Sequence, residues 1–270
     1  MRTGFFKRLC ADVCAIYVDC RIPVAAAGLA YFLTLTFYPL LICLQAMLGS
    51  LFPGSEQLRN LLSGLLPEDT VSAILDYLRY VSVNRSEAML AMALTVVASS
   101  SAAAFRVIER TLGEMRGKRR FRGAAALTFS FCFSVLFLAA VYLAAILVST
   151  GKWFLAFADR HIRFMNISDS WSWGRFVLLF LLLFVMISGV YRVTAPKDAQ
   201  RRLLPGAALA SAALVAVGVI FSAFIGASVK YPLIYGSLAG VIVIMLWFYT
   251  CGVILLLGGA LNTALERNAK

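Results

Sequence analysis

Residues 231–262 read "YPLIYGSLAGVIVIMLWFYTCGVILLLGGALN" and contain no Asp, Glu, Lys or Arg. No other feature constrains the fold as much. A helix rises about 1.5 Å per residue, so about 20 apolar residues cross a hydrocarbon core about 30 Å thick. The uncharged run exceeds that length, and it is not alone. The 270-residue chain is 61% hydrophobic and only 14% charged, whereas soluble domains carry roughly 25% charged residues. The class is an all-α integral membrane protein, because backbone polar groups in lipid must be satisfied within each segment and no alternating barrel pattern is present.

Six runs are long and apolar enough to span. They lie at about 23–50, 87–108, 124–149, 174–192, 205–228 and 237–262. No stretch between them is long enough for a soluble domain, so residues 1–270 read as a single membrane domain. The first apolar run begins only near Ile22 and is too long for a signal-peptide core, so no processing is expected.

The net charge of +12 suggests nucleic acid until the charges are placed. If the N-terminus, the 106–123 and 192–204 loops and the C-terminus share a side, that side holds 17 of the 25 Lys and Arg residues. Basic loops stay in the cytoplasm, so both termini are expected there, in a bacterial plasma (inner) membrane. The densest run, "GEMRGKRRFRG" at 113–123, places Lys118, Arg119, Arg120 and Arg122 against anionic headgroups. A short loop tethered between two spans offers little docking surface for nucleic acid, so none is expected as a partner. Membrane lipids are the expected partners. A second copy or another protein is left open.

Three segments outside the spans read as amphipathic helices. Residues 4–21 place Phe5, Phe6, Leu9, Val13, Ile16 and Tyr17 on one face, opposite Lys7, Arg8, Asp12 and Asp19, as an interfacial helix does. Residues 55–66 and 68–83 repeat leucine and valine at helical spacing and are expected to roof the outer face.

The spans hold few polar groups. Candidates for a substrate pathway are Tyr31, Tyr38, Gln45, Ser99, Ser100, Ser101, Tyr249 and Asn262, with Tyr235 and Gly236 at an outer mouth. Pro39 is expected to kink span one and free a carbonyl. For each of these, interhelical hydrogen bonding competes with substrate contact. Small residues recur at helical spacing, as in Ala26, Ala30 and Thr34, or Ala91, Thr95, Ser99 and Ala103. A packing seam is their more ordinary use. Spans three and four are greasier and are expected to face lipid.

Catalysis is not expected. No nucleophile–base pair or phosphate loop is visible, and no carboxylate lies deep in a span. Arg106 and Glu109 are placed to pair at the inner end of span two. Cys10, Cys14 and Cys20 lack the further ligand a metal site needs. The single histidine, His161, reads as an exposed loop residue. No cofactor and no metal is expected.

"YGSLAGVIVIMLWFYTCGVILLLGGALNTAL" resembles the last span of the YihY/virulence factor BrkB family. "AAGLAYFLTLTFYPLLICLQAMLG" resembles its first span, and "LLPGAALASA" the start of its fifth. The resemblance runs from about residue 15 to 265 and implies six spans. It also implies an inner-membrane protein linked to serum resistance and to export of lipid or lipopolysaccharide precursors. Two departures stand out: Ala260 occupies a position that is often acidic in the family, and the chain after span two reads "ERTLGEMRG". Members once carried a ribonuclease label. Paired-zinc nucleases need several His and Asp ligands, and one histidine does not supply them. The first reading is therefore a transporter or flippase-like protein for a lipid or amphiphilic solute, not driven by nucleotide. The second is a membrane scaffold. A continuous polar cavity would separate them.

Overall fold

The computed structural model describes residues 2–48, 71–72, 75–76, 87–117, 167–195, 203–227 and 239–268. These are helical apart from short turns and ends. Among the described residues six helices are formed: α1 (Arg2–Asp19), α2 (Ile22–Leu48), α3 (Glu87–Met115), α4 (Ile167–Thr194), α5 (Leu204–Ala227) and α6 (Ala239–Arg267). Four of them, α2, α3, α5 and α6, are long and apolar enough to cross a membrane. Helix α4 carries a shorter apolar stretch, Leu179–Thr194. The expected third span at 124–149, and most of the outer segment 55–83, lie outside the described residues.

Sequence and helix ends differ where charge begins. Helix α3 runs to Met115, past the expected end at 108, because Arg106, Glu109 and Arg110 are good helix formers. The helix stops at Gly117, whose φ of 68° suits a residue without Cβ. Its N–H donates to the Glu114 carbonyl at 3.1 Å. The α1–α2 corner is tighter. Arg21 sits at φ 46°, and its carbonyl accepts from Val24 and Ala25 at the start of α2. Pro23 falls in the first turn, where a missing N–H costs nothing.

Helix α2 packs most extensively on α3, then on α6. Helix α6 also packs on α5, α1 and α3, and α4 bridges α5 to α3. The bundle buries many small side chains and exposes many large aliphatic ones. Ala26, Ala30, Ala104, Ala207, Ala210, Ala260 and Ala264 are buried, whereas Val24, Met92, Leu181, Val185, Leu209 and Ile220 are exposed. Close helix contact through small residues and an apolar outer surface are what lipid as solvent favours. The exposed Val177, Leu179, Leu181 and Leu182 of α4 match the expected greasy face.

Two expectations are refined. The α1 apolar face is not simply laid on lipid. Ile16 is buried, with Leu9, Val13 and Tyr17 packed on the main core, and Asn268 donates to the Asp12 carboxylate at 2.6 Å. The seam on α3 is also rotated. Ala91, Thr95 and Ser99 are exposed, and the buried line is Ala93, Val97, Ser100, Ser101 and Ala104. Several small-residue stripes on one helix leave spacing alone unable to choose among them. Ala104→Leu is therefore expected to cost about 1–3 kcal/mol, and Ala91→Leu to stay within about 0.5 kcal/mol. Thermal melting of the detergent-solubilised protein checks both.

Candidate functional site

Polarity inside the described bundle concentrates at one end. The C-terminal ends of α3, α4 and α6 meet there with the start of α5. Leu203 precedes α5, and Pro205 withholds one N–H of its first turn. The Gly206 N–H needs an acceptor, and α6 supplies it: Asn262 Oδ1 lies 2.8 Å away. The same amide donates through Nδ2 to the Leu203 carbonyl at 2.8 Å. A fully buried asparagine thus caps α5 from a neighbouring helix, as a local N-cap residue caps its own.

The backbones must come close for this. A Cβ built on Gly206 would lie 2.1 Å from the Gly258 carbonyl oxygen, and one on Gly258 would lie 2.7 Å from that of Gly206 and 2.4 Å from Tyr191 Oη. Among the described residues Tyr191 is the largest fully buried side chain. Its hydroxyl donates to the Leu255 carbonyl, so α4, α5 and α6 are tied at one crossing.

Beside the crossing lie polar atoms that the bundle does not satisfy. Among the described residues, Glu109 Oε1, Ser188 Oγ and all three guanidinium nitrogens of Arg116 are buried without a hydrogen bond. Their register places Glu109 and Ser188 at one depth, with Arg116 nearer the end of α3. A Cβ on Gly259 would meet Leu112 of α3 at 2.2 Å and Tyr191 of α4 at 3.7 Å, so those residues share a level. Glu109 and Ser188 are each one turn deeper, and Arg116 is roughly one turn shallower. Burial pulls the Arg116 guanidinium below its ordinary pKa, while Glu266 and then Tyr191 push it back up. It stays charged, since an arginine is not deprotonated in a protein. Glu266 sits one turn beyond Asn262, and Arg267 donates to the Met115 carbonyl at 3.2 Å, holding the ends of α3 and α6 together.

The sequence candidates are dispersed rather than convergent. Asn262 is at the crossing. Tyr31 is 52% exposed on α2, stacked edge-on to Phe32. Tyr38 is half-buried against Phe37, next to Pro39 within α2. Ser99 is exposed and bonds the Val96 carbonyl. Ser100 is buried, and Ser101 is buried and bonds Val97. Tyr249 is partly buried on the main core. The Gln45 side chain, Tyr235, Gly236, Lys118, Arg119, Arg120 and Arg122 lie outside the described residues. Arg106 and Glu109 do not form the expected ion pair; the exposed Arg110–Glu114 pair at 2.9 Å forms instead. Sequence reasoning missed Arg116, Ser188 and Tyr191. The signal for the first was available: Glu109 and Arg116 are seven apart, on the face carrying Leu112.

Buried alanines, exposed large aliphatics and long apolar helices define a multi-pass helical membrane protein. The chain belongs to the virulence factor BrkB family, whose pattern it matches over residues 13–270. A Bacillus subtilis protein named as ribonuclease-like, YfkH, is 24% identical over 91% of this chain and 90% of its own length. A UPF0761 membrane protein of Stenotrophomonas maltophilia is 28% identical over 92% of this chain. Another, of Pseudoalteromonas translucida, is 24% identical over 92% of this chain and 83% of its own length. The chain spans only 58% of the Stenotrophomonas protein. No solved structure matches.

Proposed function

We propose that this protein moves a lipid or amphiphilic solute between leaflets or across a bacterial plasma membrane, and that it does so without catalysis. In this reading six helices span the bilayer and both termini are cytoplasmic. The single observation that supports it is the set of unsatisfied buried polar groups on α3 and α4, inside a bundle cored by alanine and glycine. Buried polar groups are ordinarily hydrogen-bonded, so each exception calls for a reason, and a bound group is one. The basic segment with Lys118, Arg119, Arg120 and Arg122 would gather anionic headgroups at the same side. The chain carries one histidine, too few for the paired-zinc chemistry of a nuclease, so we assign it no ribonuclease activity.

Reconstitution tests this. Liposomes carrying a headgroup-labelled fluorescent lipid are exposed to an impermeant quencher. Vesicles with the protein should lose inner-leaflet fluorescence that protein-free vesicles retain. Equal retention, across several headgroups and with an imposed proton gradient, would remove the flippase reading. The tight α4–α5–α6 crossing would then favour a static membrane scaffold.

A further inference from the structure

The unsatisfied groups are of two kinds, and together they describe a ligand. Arg116 offers only donors, which a carboxylate or phosphate accepts, often in bidentate fashion. Glu109 is 7% exposed, and its Oε1 lacks a donor. Ser188 Oγ, one turn before Tyr191, is a hydroxyl without a partner. A bare anion would satisfy Arg116 but would repel Glu109 and Glu266. A bare cation would do the reverse. A group carrying an anion and, a few ångströms away, an N–H donor satisfies both.

We infer that Arg116 and Glu109 form a binding site for a phosphodiester that bears a nearby ammonium, with Arg116 on the phosphate, Glu109 on the ammonium and Ser188 at the depth of Glu109. The register carries this: Glu109 and Ser188 lie about two turns deeper than Arg116, and an extended arginine closes much of that gap. Such a ligand enters from the polar end of the bundle phosphate-last, ammonium-deep. The inference deepens the transport reading by naming what the site recognises, but binding at the site does not require that transport occurs.

Glu109 gives the site a sharp preference. A primary ammonium has N–H donors, whereas a trimethylammonium of the same charge has none. Full-length protein is titrated with phosphatidylethanolamine and with phosphatidylcholine, and bound lipid is read by native mass spectrometry. The wild type is expected to favour phosphatidylethanolamine by about tenfold, the scale of one hydrogen bond to a charged group. Glu109→Leu, which removes both acceptor oxygens, should erase that preference while still binding both, and Glu109→Gln, which keeps one, should only reduce it. Arg116→Gln should weaken both by about tenfold or more, and Arg116→Lys by less. Melting temperatures within a few degrees of wild type establish that the variants fold. Competition by water-soluble glycerophosphoethanolamine would mean that the headgroup alone is recognised; failure to compete, with strong lipid binding, would mean that the acyl chains contribute. Either result supports the site. Equal affinity of the wild type for the two lipids, or unchanged binding by folded Arg116→Gln, would overturn it. Loss of flipping without loss of this binding pattern would overturn the transport reading alone.

Discussion

Gly206→Ala is expected to destabilise the protein more than any other single-methyl addition among its described helices. The added Cβ falls 2.1 Å from the Gly258 carbonyl oxygen and 2.6 Å from both Cγ and Oδ1 of Asn262. A side chain can rotate away from such a clash; a helix carbonyl cannot. Relief therefore requires α5 and α6 to part by roughly 1 Å, and packed interiors resist that. Parting also stretches both hydrogen bonds of Asn262. Overpacking costs about 1–3 kcal/mol, and a buried group left unsatisfied costs about as much again. The expected total is about 3 kcal/mol or more, a large share of an ordinary folding free energy. The control is Gly240→Ala in the same family of helices. Nothing lies within 4 Å of the Cβ it would add, and alanine is the better helix former, so it should be neutral or slightly stabilising. Unfolding of solubilised protein distinguishes the two. Equal stability of Gly206→Ala and wild type would mean that the α5–α6 crossing is looser than its geometry implies.

The contrast between these two glycines shows what the sequence conveys and what it withholds. Both stand in apolar runs, and composition alone makes them equivalent. The runs themselves were legible, because lipid as solvent leaves few alternatives to a helix of about 20 residues. Helix ends were less so: α3 continues through Arg106 and Glu109 because a helix can leave the membrane without ending. The face of each helix was least legible. Ala91, Thr95 and Ser99 keep the same spacing as Ala93, Val97 and Ser101, and only the position of α2 decides which line is buried. Asn262 was legible as a buried polar residue, but its partners stand 56 and 59 positions earlier. Tyr191 follows a greasy run that faces outward, and its burial depends on the two glycines of α6 that make room beside it. Pairings across the bundle are set by tertiary contact, which no local pattern encodes.

Asn262→Ala tests the other half of the crossing. The asparagine is fully buried, and its amide serves one donor and one acceptor of α5, each at 2.8 Å. Alanine leaves the Gly206 N–H without a partner and the Leu203 carbonyl with only the 3.3 Å bond from the Ala207 N–H. Water does not readily replace the amide, because the site is closed by Gly258 and Tyr191. The orphaned N–H costs about 1–3 kcal/mol and the lost bond to the Leu203 carbonyl about 1 kcal/mol more, so a loss of about 2–4 kcal/mol is expected. Asn262→Asp keeps an acceptor for Gly206 but turns a second oxygen toward the Leu203 carbonyl, so it should rescue only part of the loss. Combining Asn262→Ala with Gly206→Ala gives the sharper measurement. Part of the cost of Gly206→Ala is the loss of these same hydrogen bonds, and truncating Asn262 removes one of the atoms the new Cβ strikes. The double variant should therefore lose clearly less than the two single losses added, as residues sharing a contact do. The Gly258 oxygen still blocks the Cβ, so the double variant stays less stable than Asn262→Ala alone. Strict additivity in a double-mutant cycle would mean that the amide and the glycine act independently, and that α5 is not capped by α6.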